Sequence, residues 1–155
     1  MKNKTPYRVL IIDDSAFIRQ FLKEIIDQTN DLKVIAAASD PLKAIEILKK
    51  TEVDVITLDV EMPNMDGLEF LKYLMRFRPL PVVMVSSWTQ ENSAEALTAL
   101  SLGAIDIVTK PTLGLQSGMD ELRVEIIRKI RTAAQARVGR FALTPKVASP
   151  PPPAP

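Results

Sequence analysis

The chain has 155 residues, 46% hydrophobic and 25% charged, with no cysteine and no histidine. That length suits one domain with a real core, and the missing residue types exclude a disulfide scaffold, a thiolate or imidazole metal site, a cysteine nucleophile and a Ser-His-Asp triad. The net charge of +1 conceals an asymmetry, because residues 1–122 are net −5 and residues 123–155 net +6. The basic stretch shows no alternation of positives with aromatics, so it reads as a solvated helix face and linker, not a nucleic-acid surface.

Short apolar runs alternate with helical patterns. Arg8 to Ile12 reads as a buried strand closed by Asp13-Asp14-Ser15. Phe17, Phe21, Ile25 and Ile26 then recur at helical spacing. Leu32 to Ala38 is a second strand. Asp40 followed by Pro41 is an N-cap with proline at N1, and it opens a helix with Leu42, Ile45 and Leu48 on one face. Val53 to Leu58 is a third strand, ending at Asp59. A turn through Asp66-Gly67 leads to a helix carrying Leu68, Leu71, Leu74 and Met75. Val82 to Val85 is a fourth strand. Ala94 to Leu102 is an alanine-rich helix closed by Gly103 at C′. Ile105 to Val108 is a fifth strand, and a last helix from Met119 to Ala136 has Leu122, Ile126 and Ile130 as its stripe.

Strands that are apolar throughout, each followed by a helix, imply a parallel sheet covered on both faces. Right-handed crossovers leave few arrangements for five βα units, and the expected one is an α/β flavodoxin-like, doubly wound sandwich with strand order 2-1-3-4-5. Its switch point lies between strands one and three. A ligand site belongs just beyond their carboxyl ends, where Asp13, Asp14 and Asp59 fall. Six of the 12 prolines lie between Pro145 and Pro155, which makes that stretch an extended spacer of about 3.1 Å per residue. No apolar run approaches the roughly 20 residues of a membrane span, and the first six residues lack a signal-peptide core. A cytoplasmic protein without membrane insertion is expected.

Three carboxylates at one sheet edge repel one another, and a cation relieves that repulsion. Mg²⁺, or Mn²⁺, suits an all-oxygen set that keeps several waters. Asp14 and Asp59 are the expected direct ligands, Asp13 acts through water, and the backbone carbonyl of Glu61 supplies a further oxygen. Strand four ends in Ser86 and strand five in Thr109-Lys110, so a hydroxyl and an ammonium share the acidic edge. One carboxylate as nucleophile, with positive charge and a hydroxyl for the phosphoryl oxygens, makes a phosphoryl-transfer site. Asp59, before a tight Pro-Asn-Met-Asp-Gly turn, is the expected nucleophile. No P-loop pattern is present.

Asp13-Asp14-Ser15, Leu58-Asp59-Val60-Glu61-Met62-Pro63, Met65-Asp66-Gly67, Ser86 and Lys110-Pro111 resemble the receiver domain of two-component response regulators. Pro81 to Ser87 and Gly103 to Pro111 narrow the resemblance to the chemotaxis protein-glutamate methylesterase response regulators. The resemblance implies a receiver domain at 7–136 after a short N-terminal extension (1–6), with a proline-rich interdomain linker at 137–155. It implies a histidine kinase as phosphodonor to Asp59 and an attached C-terminal esterase or glutamine deamidase acting on chemoreceptors. This chain alone is then expected only to be phosphorylated and dephosphorylated. Two alternatives are a haloacid-dehalogenase-like phosphohydrolase, whose Asp-x-Asp pattern Asp13-Asp14-Ser15 does not match, and the receiver of a DNA-binding regulator.

Proteins of the family this chain resembles usually carry an aromatic switch on the fifth strand, three residues before the lysine. That position is Ile107 here, and it has no ring to swing. Glu61 is expected to tune phosphoryl lifetime. Trp88 reads as a partner-facing anchor, and Leu113, Leu115 and Met119 as a docking surface for the esterase domain or a second receiver.

Overall fold

A computed structural model describes residues 6–60, 67–86, 90–109 and 119–136. The expected linker at 137–155 lies outside them. The elements run β1 (Tyr7–Ile12), α1 (Ala16–Asp27), β2 (Leu32–Ala38), α2 (Pro41–Lys50), β3 (Val55–Asp59), α3 (Gly67–Phe77), β4 (Val82–Ser86), α4 (Gln90–Leu102), β5 (Asp106–Thr109) and α5 (Met119–Gln135). The five strands form one parallel sheet in the order β2-β1-β3-β4-β5, as the alternation of strand and helix patterns predicts.

The sheet divides the interior in two. Along β1, Val9 and Ile11 face a cluster with Ile18 and Leu22 of α1 and Ile126 and Ile130 of α5. Leu10 and Ile12 face the other way, toward Leu48, Phe70, Leu71 and Leu74 of α2 and α3. Both faces are buried, which is why the strands read as unbroken apolar runs.

The helix faces are less faithful to the spacing. In α1 the buried side chains are Ile18, Leu22, Ile25 and Ile26, whereas Phe17 is 46% exposed and stacks on Phe21 at 6.4 Å. Two apolar stripes one residue apart compete there, and the aliphatic one fits beneath the sheet. In α2 the sheet-facing residues are Pro41, Ala44 and Leu48, and Leu42 is 55% exposed. Phe70, absent from the predicted stripe, is fully buried in α3. The α4 helix starts at Gln90 instead of Ala94, since a polar first turn gives no apolar period to read. The third and fifth strands run one or two residues later than predicted, at Val55–Asp59 and Asp106–Thr109.

Caps fall where the residues call for them. Ser15 Oγ accepts from the Ile18 N–H and Asp40 from the Lys43 N–H. Gly103, with φ of 123°, ends α4 in a conformation that L side chains rarely adopt.

Candidate functional site

Strands β1 and β3 carry the acidic residues to the carboxyl edge of the sheet. Asp13, in the turn after β1, is held through both its backbone and its side chain. Its N–H donates to the Ala38 carbonyl (3.0 Å), its Oδ1 accepts from the Ser15 N–H (2.9 Å), and its carbonyl accepts from Arg19 Nη1 (2.8 Å). The β3 strand ends in Asp59, one register step from the end of β4. Beyond it, the Gly67 N–H donates to the Val60 carbonyl at 2.9 Å and ties the start of α3 to the end of β3. A side chain at Gly67 has no room there, because a Cβ would collide with the Asp59 carbonyl oxygen and lie 2.9 Å from that of Val60.

The result brings Asp13, Asp14 and Asp59 together. Each offers a carboxylate oxygen, and these oxygens lie within 4.8 Å of one another. Asp13 and Asp59 are 1% and 2% exposed, while Asp14 faces solvent. Oxygens on opposite sides of one Mg²⁺ stand about 4.2 Å apart, so the trio is on the scale of a single hard cation. Two buried like charges with a third at the rim also supply the electrostatic reason to hold one. One side is open to solvent at Asp14, which suits an ion that keeps part of its water shell.

The β4–β5 register pairs Ser86 with Thr109. Both strands therefore end on the acidic edge, and Lys110 follows directly in sequence. Lys110, Glu61, Trp88, Leu113 and Leu115 lie outside the described residues, as do the side chains of Ser86 and Met119. Ile107 is half-buried against the α2–α4 side of the core, and its carbonyl accepts from Lys129 Nζ of α5 at 2.7 Å.

The sequence reading missed Arg19 and Thr57. Arg19 acts through its guanidinium on a backbone carbonyl, and no spacing rule marks such a contact. Thr57 Oγ1, two residues before Asp59 on the same strand face, is buried with no hydrogen-bond partner among the described residues. A polar residue in an otherwise apolar strand is the one visible signal for it.

A parallel sheet of this order with an acidic trio at the switch point defines a class, and the comparisons agree. The chain belongs to the response regulator receiver domain family, which matches residues 9–122. Within that class it is homologous to the regulatory domains of chemotaxis methylesterases. It is 56% identical over 131 residues to the protein-glutamate methylesterase/protein-glutamine glutaminase of Thiobacillus denitrificans, covering 84% of this chain and 37% of that protein. Against the enzyme of the same name from Yersinia pseudotuberculosis it is 55% identical over 141 residues, 91% of this chain and 40% of the relative. The chain thus spans about two fifths of the length of these curated relatives. The response regulator domain of Thermotoga maritima CheB superposes with a TM-score of 0.74 at 44% identity, covering 84% of this chain and 98% of that one. A structure of the P1 domain of CheA3 in complex with CheY6 from R. sphaeroides matches with a TM-score of 0.69 at 35% identity, over 85% of this chain and 99% of that one. The phosphohydrolase and DNA-binding readings find no support in these relatives. Among the described residues no helix is long and apolar enough to cross a membrane.

Proposed function

We propose that Asp59 is the phosphoacceptor of this receiver and that its Mg²⁺-dependent phosphorylation by a histidine kinase controls an attached methylesterase. The convergence of the Asp13, Asp14 and Asp59 oxygens within 4.8 Å carries this reading. An Asp59 carboxylate oxygen attacks the phosphorus of a phosphohistidine, the phosphorus–nitrogen bond breaks, and the departing imidazole regains a proton. Asp14 and Asp59 would hold the cation directly, with Asp13 acting through water and the Glu61 carbonyl adding an oxygen. Bound there, Mg²⁺ or Mn²⁺ supplies positive charge to the oxygens of the transferring group. Lys110 and Ser86, carried at the ends of β5 and β4, bind the remaining phosphoryl oxygens. Glu61 sets how long the phosphoryl group survives. Burial of Asp59 at 2% exposure restricts the approach of water.

The greater length of the relatives supports a receiver domain at 7–136, a linker at 137–155 and a C-terminal esterase in cis, acting on chemoreceptors in the cytoplasm. Ile107 makes aromatic switching an unsuitable output, and movement of Ser86 takes its place. The α4–β5–α5 face, with Trp88, Leu113, Leu115 and Met119, is the docking surface for the esterase domain. Leu97 of α4, 68% exposed, supports that assignment.

Incubation with acetyl phosphate and Mg²⁺, followed by intact-mass spectrometry, tests the central claim. One phosphoryl group per chain is expected, and none in Asp59→Asn. Labelling that persists in Asp59→Asn, or repeated turnover of a chromogenic phosphate ester, would overturn it.

A further inference from the structure

The α2–α3 face takes no part in the acidic site. Leu42, Ile45 and Lys49 recur along α2 at i, i+3 and i+7, and Tyr73 and Phe77 are one turn apart on α3. Between the helices lies a cavity of about 340 Å³ whose walls include Ile45, Leu48, Tyr73 and Phe77. That is at the low end of the roughly 300–1,000 Å³ typical of ligand sites, which leaves room for one or two large side chains. Both helices run back toward the amino edge of the sheet, so Lys49 and Phe77 lie at the end opposite Asp59.

The aromatic wall is exposed, and its two rings pack on each other. Phe77 is 66% exposed. Its ring centroid is 5.0 Å from that of Tyr73, and the Arg76 guanidinium carbon lies 5.6 Å from it. A large apolar side chain already held in place loses little entropy on binding. The rim carries surplus positive charge. Among the described residues, Arg76 and Arg78 form no ion pair, and Arg78 donates instead to the Leu48 carbonyl. Lys50 and Lys72 of the same helices form none either. Glu46 of α2 is matched by Lys49 at 3.7 Å.

We infer that this groove docks an acidic peptide segment of a partner protein, which inserts a large apolar side chain between α2 and α3 and sets its carboxylates against Arg76 and Arg78. Charge decides the occupant. The chain's own C-terminal stretch has no acid after Glu125 and carries Arg137, Arg140 and Lys146, so it is repelled by the rim. The apolar walls favour a peptide over a polyanion without side-chain anchors.

A fluorescein-labelled, helix-forming peptide with glutamates on one face and leucine and phenylalanine on the other is titrated into the full chain. Fluorescence anisotropy is expected to show saturable binding, weakened about tenfold or more by Phe77→Ser and by Arg76→Glu. A peptide with lysines replacing the glutamates is expected not to bind. Both substitutions are at exposed positions, and unchanged melting and acetyl-phosphate labelling confirm that each variant folds. The proposal is overturned if neither substitution weakens binding or if the peptide does not bind. It is overturned equally if a single-stranded oligonucleotide competes with the same dependence on Phe77, or if Phe77→Ser dissociates a dimer of the chain that excludes the peptide.

Discussion

The two edges of the sheet use the same residue type in opposite ways. At the amino edge, aspartates are matched with arginine. Asp54, 8% exposed, accepts from Arg8 through Nε at 3.0 Å, Nη2 at 3.2 Å and the backbone N–H at 2.7 Å. Asp31 takes a two-point contact from Arg131 of α5 at 2.5 and 3.1 Å. At the carboxyl edge, three aspartates are packed within reach of one another. The amino edge spends its carboxylates on joining elements distant in sequence. The carboxyl edge instead sets like charges side by side, an arrangement that costs stability unless a cation offsets it, as the proposed function requires.

The sharpest way to break the functional edge without touching a carboxylate is Gly67→Ala. The added methyl meets backbone oxygens of Asp59 and Val60, which cannot retreat without moving Asp59. We expect a stability loss of about 3 kcal/mol or more and slower acetyl-phosphate labelling. Thermal melting and a labelling time course measure the two effects.

At the amino edge, Arg8→Ala leaves the part-buried Asp54 carboxylate without its guanidinium. Urea unfolding is expected to show a loss of about 2–3 kcal/mol, with labelling by acetyl phosphate retained. Equal damage to labelling would mean that the two edges are not independent. The cation offers the converse test. Mg²⁺ at a hundred times its dissociation constant is expected to stabilise the parent by about 2.7 kcal/mol, and Asp59→Asn much less. A Tm that rises equally in both would place the ion elsewhere.

Thr57→Val replaces a buried hydroxyl that has no partner among the described residues with a methyl of similar shape. The variant is expected to be more stable by about 1 kcal/mol, read as a higher Tm. A loss instead would show that the hydroxyl is satisfied in solution.

The strands were legible because both their faces are buried, which leaves an unbroken apolar run such as Val55-Ile56 or Val82-Val83-Met84-Val85 as the only outcome. The strand order follows from the alternation, and it places Asp13, Asp14 and Asp59 on one edge. Helix faces were harder. Phe17 and Leu42 are large and apolar but face outward, since size alone does not say which of two adjacent stripes meets the sheet. Arg19 and the Arg131–Asp31 contact were invisible, because they depend on elements meeting in space. The Arg131 and Asp31 positions are a hundred residues apart.

That last contact gives the smallest effect and a pH signature. The hydrogen bond from Arg131, set against partial burial, holds the Asp31 carboxyl below its ordinary range. A depressed folded value means that the pair's contribution is complete above the unfolded value of about 3.9. It is lost as the pH falls through the lower, folded value. Both side chains are partly exposed, at 40% and 29%, so solvent screening keeps the contribution to about 1 kcal/mol or less. At pH 6, Asp31→Asn is therefore expected to melt slightly below the parent, and the gap is expected to close as the pH falls from about 4 down through the lower folded value, where Asp31 becomes protonated in the folded parent too. Added salt narrows the same gap at pH 6. A gap that is independent of both pH and salt would mean that Arg131 holds α5 by packing alone, and the amino edge would then rest on Arg8 and Asp54.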